Sequence, residues 1–190
     1  MHNEDYDIKI FSPIKQTSKS EPVILVDEMK RQVISGNLQK AKKLGETIAD
    51  SFREAAEKEE LWNMAHGCGI ENPDRRIKDQ AIILSVFTAE YVFNHYMQDK
   101  LLSTAAISTL YDTLTEDSPA LYSELLASTA FSFYYMNLSD KETAPDVIGK
   151  TFAALCDDDD NEKLLCYGKS VFVNTLEKFR KAVESVDFAE

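Results

Sequence analysis

Turn-forming residues are scarce in this chain of 190 residues, which holds only 6 Gly and 5 Pro. Their combined share is about half of the usual one, which excludes a fold of many short strands joined by tight turns and favours long, uninterrupted elements. Cysteine is scarce as well. Cys68, Cys156 and Cys166 form an odd set with no Cys-x-x-Cys spacing, which speaks against a secreted disulfide framework and for reduced thiols in a cytoplasmic setting. Positive charge is in deficit, with 21 Lys and Arg against 33 Asp and Glu and a formal net charge of −12. An excess of this sign repels polyphosphates and anionic lipid, so neither nucleic acid nor membrane is an expected partner. Long apolar runs are missing too. The longest stretch free of Asp, Glu, Lys and Arg, 125–139, contains three Ser, one Thr and one Asn and is too short to span a bilayer. The opening residues Met1-His2-Asn3-Glu4-Asp5 are acidic where a signal peptide is basic.

Chemical signatures are also lacking. There is no HExxH, no Glu-x-x-His, no GxSxG elbow and no Walker A loop, so the spacings that zinc, di-iron, serine-nucleophile and nucleotide chemistry require are not met. Gly67-Cys68-Gly69 follows a helical segment rather than a strand and has no third glycine, which makes it a turn and not a dinucleotide loop. Asp157-x-Asp159-x-Asn161 opens like a calcium loop, but Glu162 stands where the sharp turn needs Gly and Gly168 where the bidentate Glu belongs. His66 and Cys68 are two soft ligands, and two do not close a tetrahedral metal site. No catalytic residue, metal or cofactor is expected.

Apolar residues, by contrast, make up 44% of the chain, and a chain of this length buries enough of them for one self-sufficient core. Residues 1–22 read as a loosely attached arm, with Pro13, Pro22 and the polar stretch Gln16 to Ser20. Residues 23–190 read as a single helical domain. Val23 to Ile34 is compatible with strand or helix, and with no second strand to pair it, helix is expected. From Asn37, Leu38, Ala41, Gly45, Ile48, Phe52, Ala55 and Trp62 recur on one face, an amphipathic helix stopping near Gly67 to Gly69. Asn72-Pro73-Asp74 restarts the chain. The segment 74–99 is apolar in every direction around its axis, as a central helix is, and 119–138 shares that pattern. Shorter helices are expected after Ser103 and Pro145, and a last one after an acidic cap at Asp157 to Asp160. The sum is an all-α protein, an irregular bundle of six or seven helices around two central ones, about 74–99 and 119–138. No 34-residue repeat is present.

Several residues stand out within this framework. Glu90 and Asn94 interrupt the apolar cylinder of 74–99, and a buried carboxylate needs a partner. One helical turn apart, and together with Tyr134 or Tyr135, they are candidates for the rim of a pocket that takes a small apolar ligand. Trp62, the one tryptophan, is a candidate interface anchor or core seal. Charge is two-ended: Lys30, Arg31, Lys40, Lys42 and Lys43 stand without an acid between 30 and 43, whereas 112–162 carries 12 acidic and 2 basic residues, 2 − 12 = −10. Complementary patches of this kind steer protein partners or a second copy, with Lys40 and Lys43 in the interface. The expected function is therefore a non-enzymatic interaction or regulatory module acting through its surface, as a homodimer or with a protein partner. The alternative is a helical binding protein with an internal apolar pocket.

Overall fold

The computed structural model describes residues 21–119, 122, 129–138 and 144–189. These form eight helices: α1 (Glu21–Ile34), α2 (Asn37–Glu57), α3 (Glu60–Gly67), α4 (Arg75–Tyr96), α5 (Lys100–Asp117), α6 (Ala130–Asn137), α7 (Ala144–Leu155) and α8 (Glu162–Glu184). No strand occurs among the described residues, so the ambiguous segment 23–34 is helical and the protein is an all-α bundle. None of the described helices is long and apolar enough to cross a membrane. The arm expected at 1–22 lies outside the described residues except for Glu21 and Pro22, which open α1.

Two apolar clusters share the interior. One gathers Leu84, Phe87, Tyr134, Ile148, Phe152 and Tyr167 with their neighbours; the other gathers Leu44, Ile48, Val92, Phe93, Leu110 and Phe179 with theirs. The α4 helix serves both, sending Leu84 and Phe87 into the first and Val86, Val92 and Phe93 into the second. That is why its sequence shows no polar face. The α8 helix also bridges both clusters, through Tyr167 and Phe172 at one end and Phe179 and Val183 at the other, and Tyr122 and Phe131 of the stretch 119–138 pack against both as well. Of the stretch 119–138, residues 120, 121 and 123–128 lie outside the described residues. In the part that forms α6, Ala130 and Tyr134 are buried while Phe133, Tyr135 and Met136 are exposed. Glycine lets helices approach closely at three points: Gly45 brings α2 onto the backbone of α5, Gly149 brings α7 onto the Leu165 carbonyl of α8, and Gly168 makes room for the Phe152 side chain of α7.

The helix count exceeds six or seven because 37–67 is not one helix. Its ladder ends at Glu57, Lys58 bonds back to the Glu54 carbonyl at 3.0 Å, and Glu59 adopts φ 52°, ψ 32° before α3 begins. Nothing in Ala55-Ala56-Glu57-Lys58-Glu59-Glu60 breaks a helix by propensity, so the break is tertiary in origin. It turns α3 against α8, where Ala65 is buried and Glu60 meets Lys178 at 3.3 Å. Three helix starts also shift. Asp74 rather than Asn72 caps α4, accepting from the Ile77 N–H at 2.9 Å. For α5 the cap is Asp99, which accepts from Leu101 and Leu102; Ser103 lies inside the helix. The cap of α8 is Asn161, accepting from Lys163 and Leu164, with Asp158 holding the Asn161 amide at 2.8 Å. In each case the side chain nearest the first free N–H groups takes the role.

The α1 helix packs on α2 with its polar side inward. Gln32, 6% exposed, donates to Glu28 at 2.8 Å and to Asp99 at 2.7 Å, and accepts from Asn37 at 2.9 Å. Asn37, 2% exposed, clamps the backbone of Ala189 from both sides, at 2.7 and 2.8 Å. Its outer side presents Val26, Met29, Val33 and Ile34 to solvent.

Candidate functional site

The polar residues expected on α4 do gather, though not all of them. The Glu90 carboxylate accepts from Tyr135 at 2.7 Å and from Tyr111 of α5. Asn94 lies 3.4 Å from the Tyr135 hydroxyl and accepts from Ser103 at 3.2 Å. Tyr134 does not join them. Consecutive helical residues diverge by about 100°, so Tyr134 points into the core against Phe87 while Tyr135 faces α4. Tyr111 and Ser103 are the members that sequence reasoning missed, because pairing α5 with α4 is a tertiary fact. Burial first, and then the Glu90 carboxylate, hold the phenols of Tyr111 and Tyr135 above the ordinary tyrosine range. The carboxylate is thus held by two neutral donors, and the group ties α4, α5 and α6 together. Tyr111→Phe removes one of these charge-assisted bonds, and an unfolding midpoint in urea should register a loss of about 1–2 kcal/mol. An unchanged midpoint would mean the bond adds nothing.

Trp62 is half-buried, with the Lys78 ammonium 5.5 Å from its ring centroid. It lines a cavity of about 170 Å³ between α2, α3, α4 and α8, whose apolar wall includes Phe52, Leu61, Met64, Ile82 and Phe179. Phe52 and Phe179 meet there at 5.4 Å between ring centres. Glu59 and the Glu60–Lys178 pair are also on its wall. A larger hollow of about 500 Å³ lies where residues 186–189 pass between α1 and the start of α5. Its buried polar groups, Gln32 and Asn37, are already bonded to Asp99, Ala189 and each other.

Lys40 and Lys43 sit on the outer side of α2. Lys40 donates to the Asp187 carbonyl at 2.5 Å and Lys43 pairs with Glu46 at 3.0 Å. Both flank a shallow groove formed with Ala182, Ser185 and Val186. Neither touches Trp62, so the structure separates the three interface candidates into two places.

The cysteines depart from the expected reduced set. Cys68, at the end of α3, and Cys166, in the first turns of α8, form a disulfide with Cα atoms 5.8 Å apart. Cys68 ends α3, and the left-handed Gly69 that follows it, with φ +77°, turns the chain away; a sequence separation of 98 residues concealed the pairing. Cys156 stays free, and burial, with a smaller effect of Asp74, pushes its thiol up to about 12. A thiol so protonated is a poor nucleophile at neutral pH. Near it the phenol oxygens of Tyr134 and Tyr167 are buried with no hydrogen-bond partner among the described residues. His66 bonds to the Glu71 carbonyl at 3.0 Å, and His95 stacks on Tyr91 at 3.9 Å. No three His, Cys, Asp or Glu side chains of the described residues converge as metal ligands do. The chain matches no protein-family model, no curated protein and no solved structure.

Proposed function

We propose that the protein is a non-enzymatic helical interaction module that pairs with a second copy of itself through the outer face of α1. The observation that carries this reading is the inverted polarity of that helix. Glu28 and Gln32 face the bundle, whereas Val26, Met29 and Val33 lie at i, i+3 and i+7 on the solvent side, beside Ile34 at 86% exposure. An isolated exposed apolar residue needs no explanation, but a contiguous stripe along a helix does. A second copy suits it because its charges are self-complementary. In an antiparallel crossing centred between Met29 and Lys30, Val26 meets Val33, and Asp27 and Lys30, which pair at 3.9 Å within one helix, lie alongside the same pair of the other copy and exchange partners with it.

The overall charge of −12 opposes this association at long range, so added salt should strengthen it by screening the repulsion. The cytoplasmic setting suggested by the composition is compatible with the dimer. There Cys68 and Cys166 would be thiols, and neither is part of α1.

Light scattering on the purified chain tests the reading. The expected mass is twice 21.5 kDa, falling to the monomer value in Val33→Asp, which places a carboxylate in the centre of the apolar stripe. A wild-type chain that stays monomeric up to its solubility limit overturns the proposal. So does a different polypeptide that co-purifies with the wild type and is lost from Val33→Asp.

A further inference from the structure

The cavity at Trp62 has apolar walls and several polar groups, among them Asn174, Thr175 and Lys178 together with two serines whose protons are already committed. The Ser51 hydroxyl donates to the Thr47 carbonyl at 3.0 Å, and the Ser85 hydroxyl, 3% exposed, donates to the Ala81 carbonyl at 2.9 Å. A serine has one proton and two lone pairs, so both present only acceptors to whatever lies between them. Lys178, the cation on the wall, is held by Glu60 at 3.3 Å. Glu59 offers a carboxylate with no ion pair among the described residues.

Size and shape narrow the occupant further. A closed apolar cavity of roughly 150 Å³ takes up benzene, and this pocket, open to solvent on one side, offers about 170 Å³. Phe52, Trp62 and Phe179 supply ring faces and edges, against which a flat ring packs better than a branched chain. The space itself exists because the chain bends at Glu59, whose left-handed backbone at φ 52° is uncommon for a residue with a Cβ. Such conformations concentrate at ligand clamps. Had α2 run on unbroken through 58–60, α3 would not lean onto α8, and Trp62 would not close this side of the cavity.

We propose that this cavity is a binding site for a small planar aromatic molecule carrying one N–H or O–H donor. The ring lies among Phe52, Trp62, Met64 and Phe179, and the donor reaches the acceptors at Ser51 or Ser85. This site is independent of the α1 face, and its test does not depend on oligomeric state.

Indole and indene are the probes, because they share a shape and differ in the N–H. Calorimetry on the full chain should give indole a dissociation constant of about 10–100 µM, as nine well-buried heavy atoms allow, and indene one at least ~10-fold weaker, as a site holding unpaired acceptors requires. The chain has a single tryptophan, so its one indole N–H resonance, read with ¹⁵N-labelled protein, reports on Trp62 alone and should shift on addition of unlabelled indole. Ala55→Phe, placed on the cavity wall, should fill it and abolish both signals. Ser85→Ala should weaken indole several-fold and leave indene unchanged. Absence of binding at millimolar indole overturns the proposal, as does binding that leaves the Trp62 resonance in place. Equal affinity for indene overturns the donor requirement, and with it the ligand class. Should Ala55→Phe fail to fold, the indole and indene comparison and the Trp62 resonance in the wild-type chain decide the matter.

Discussion

Gly45→Ala should destabilise the protein by about 2–3 kcal/mol, against the sign that helix propensity gives. In the interior of a helix, alanine is worth about 1 kcal/mol more than glycine, since it restricts the unfolded chain and shields the backbone. At this position there is no room for it. A Cβ on Gly45 would lie 2.4 Å from the Ala106 carbonyl oxygen and 3.1 Å from both the Leu110 backbone nitrogen and the Thr109 Cβ. Two of these three neighbours are backbone atoms of α5, which cannot swing aside as a flexible side chain does. The α2 and α5 helices must separate, and Ala41, Leu44, Ile48, Ala106 and Leu110, which close the second apolar cluster, lose contact together. Gly67→Ala is the control, because nothing lies within 4 Å of the Cβ it would add. It should be neutral or stabilise by up to ~1 kcal/mol. Chemical denaturation of the two variants side by side makes the comparison. If Gly45→Ala were as stable as the wild type, α2 and α5 would not approach this closely.

Reducing the Cys68–Cys166 bond should cost about 3–5 kcal/mol on the chain-entropy account, since it closes a long loop in the unfolded chain. The two residues are 98 positions apart, so the cross-link removes many open conformations that the reduced chain regains. For a protein of this size the loss amounts to a melting temperature lower by about 10 °C or more. Calorimetry with and without reductant reads the effect directly, and Cys166→Ser should reproduce the reduced value without further change on adding reductant. Cys166 is exposed and Cys68 partly so, which lets a small thiol reach the bond in the folded protein. The free Cys156, with its protonated thiol, should not exchange with it. A melting temperature indifferent to reductant, with both thiols alkylated afterwards, would show that the bond does not hold the fold.

Local pattern was enough for some features of this protein, and packing between distant segments decided the others. Low Gly and Pro content, the periodicity of 37–57 and the all-round apolar character of 74–99 were sufficient for an all-helical bundle and for the central place of α4, because burial of apolar surface is read from composition and spacing alone. The same local reasoning placed Glu90 and Asn94 one turn apart on α4, since helical geometry fixes which residues share a side, but it left the choice between Tyr134 and Tyr135 to the packing. It did not find Tyr111, which reaches Glu90 from α5. Nor did it find the break at Glu59, the pairing of Cys68 with Cys166, or the outward turn of Val26, Met29 and Val33. Each of these is decided between elements far apart in the chain: by α8 drawing α3 aside, by two helix segments bringing thiols within reach, and by Asp99 and Asn37 claiming the polar face of α1. Local propensity and period are set by neighbours within a few residues, whereas these features depend on which helices meet, and only the packed tertiary structure decides that.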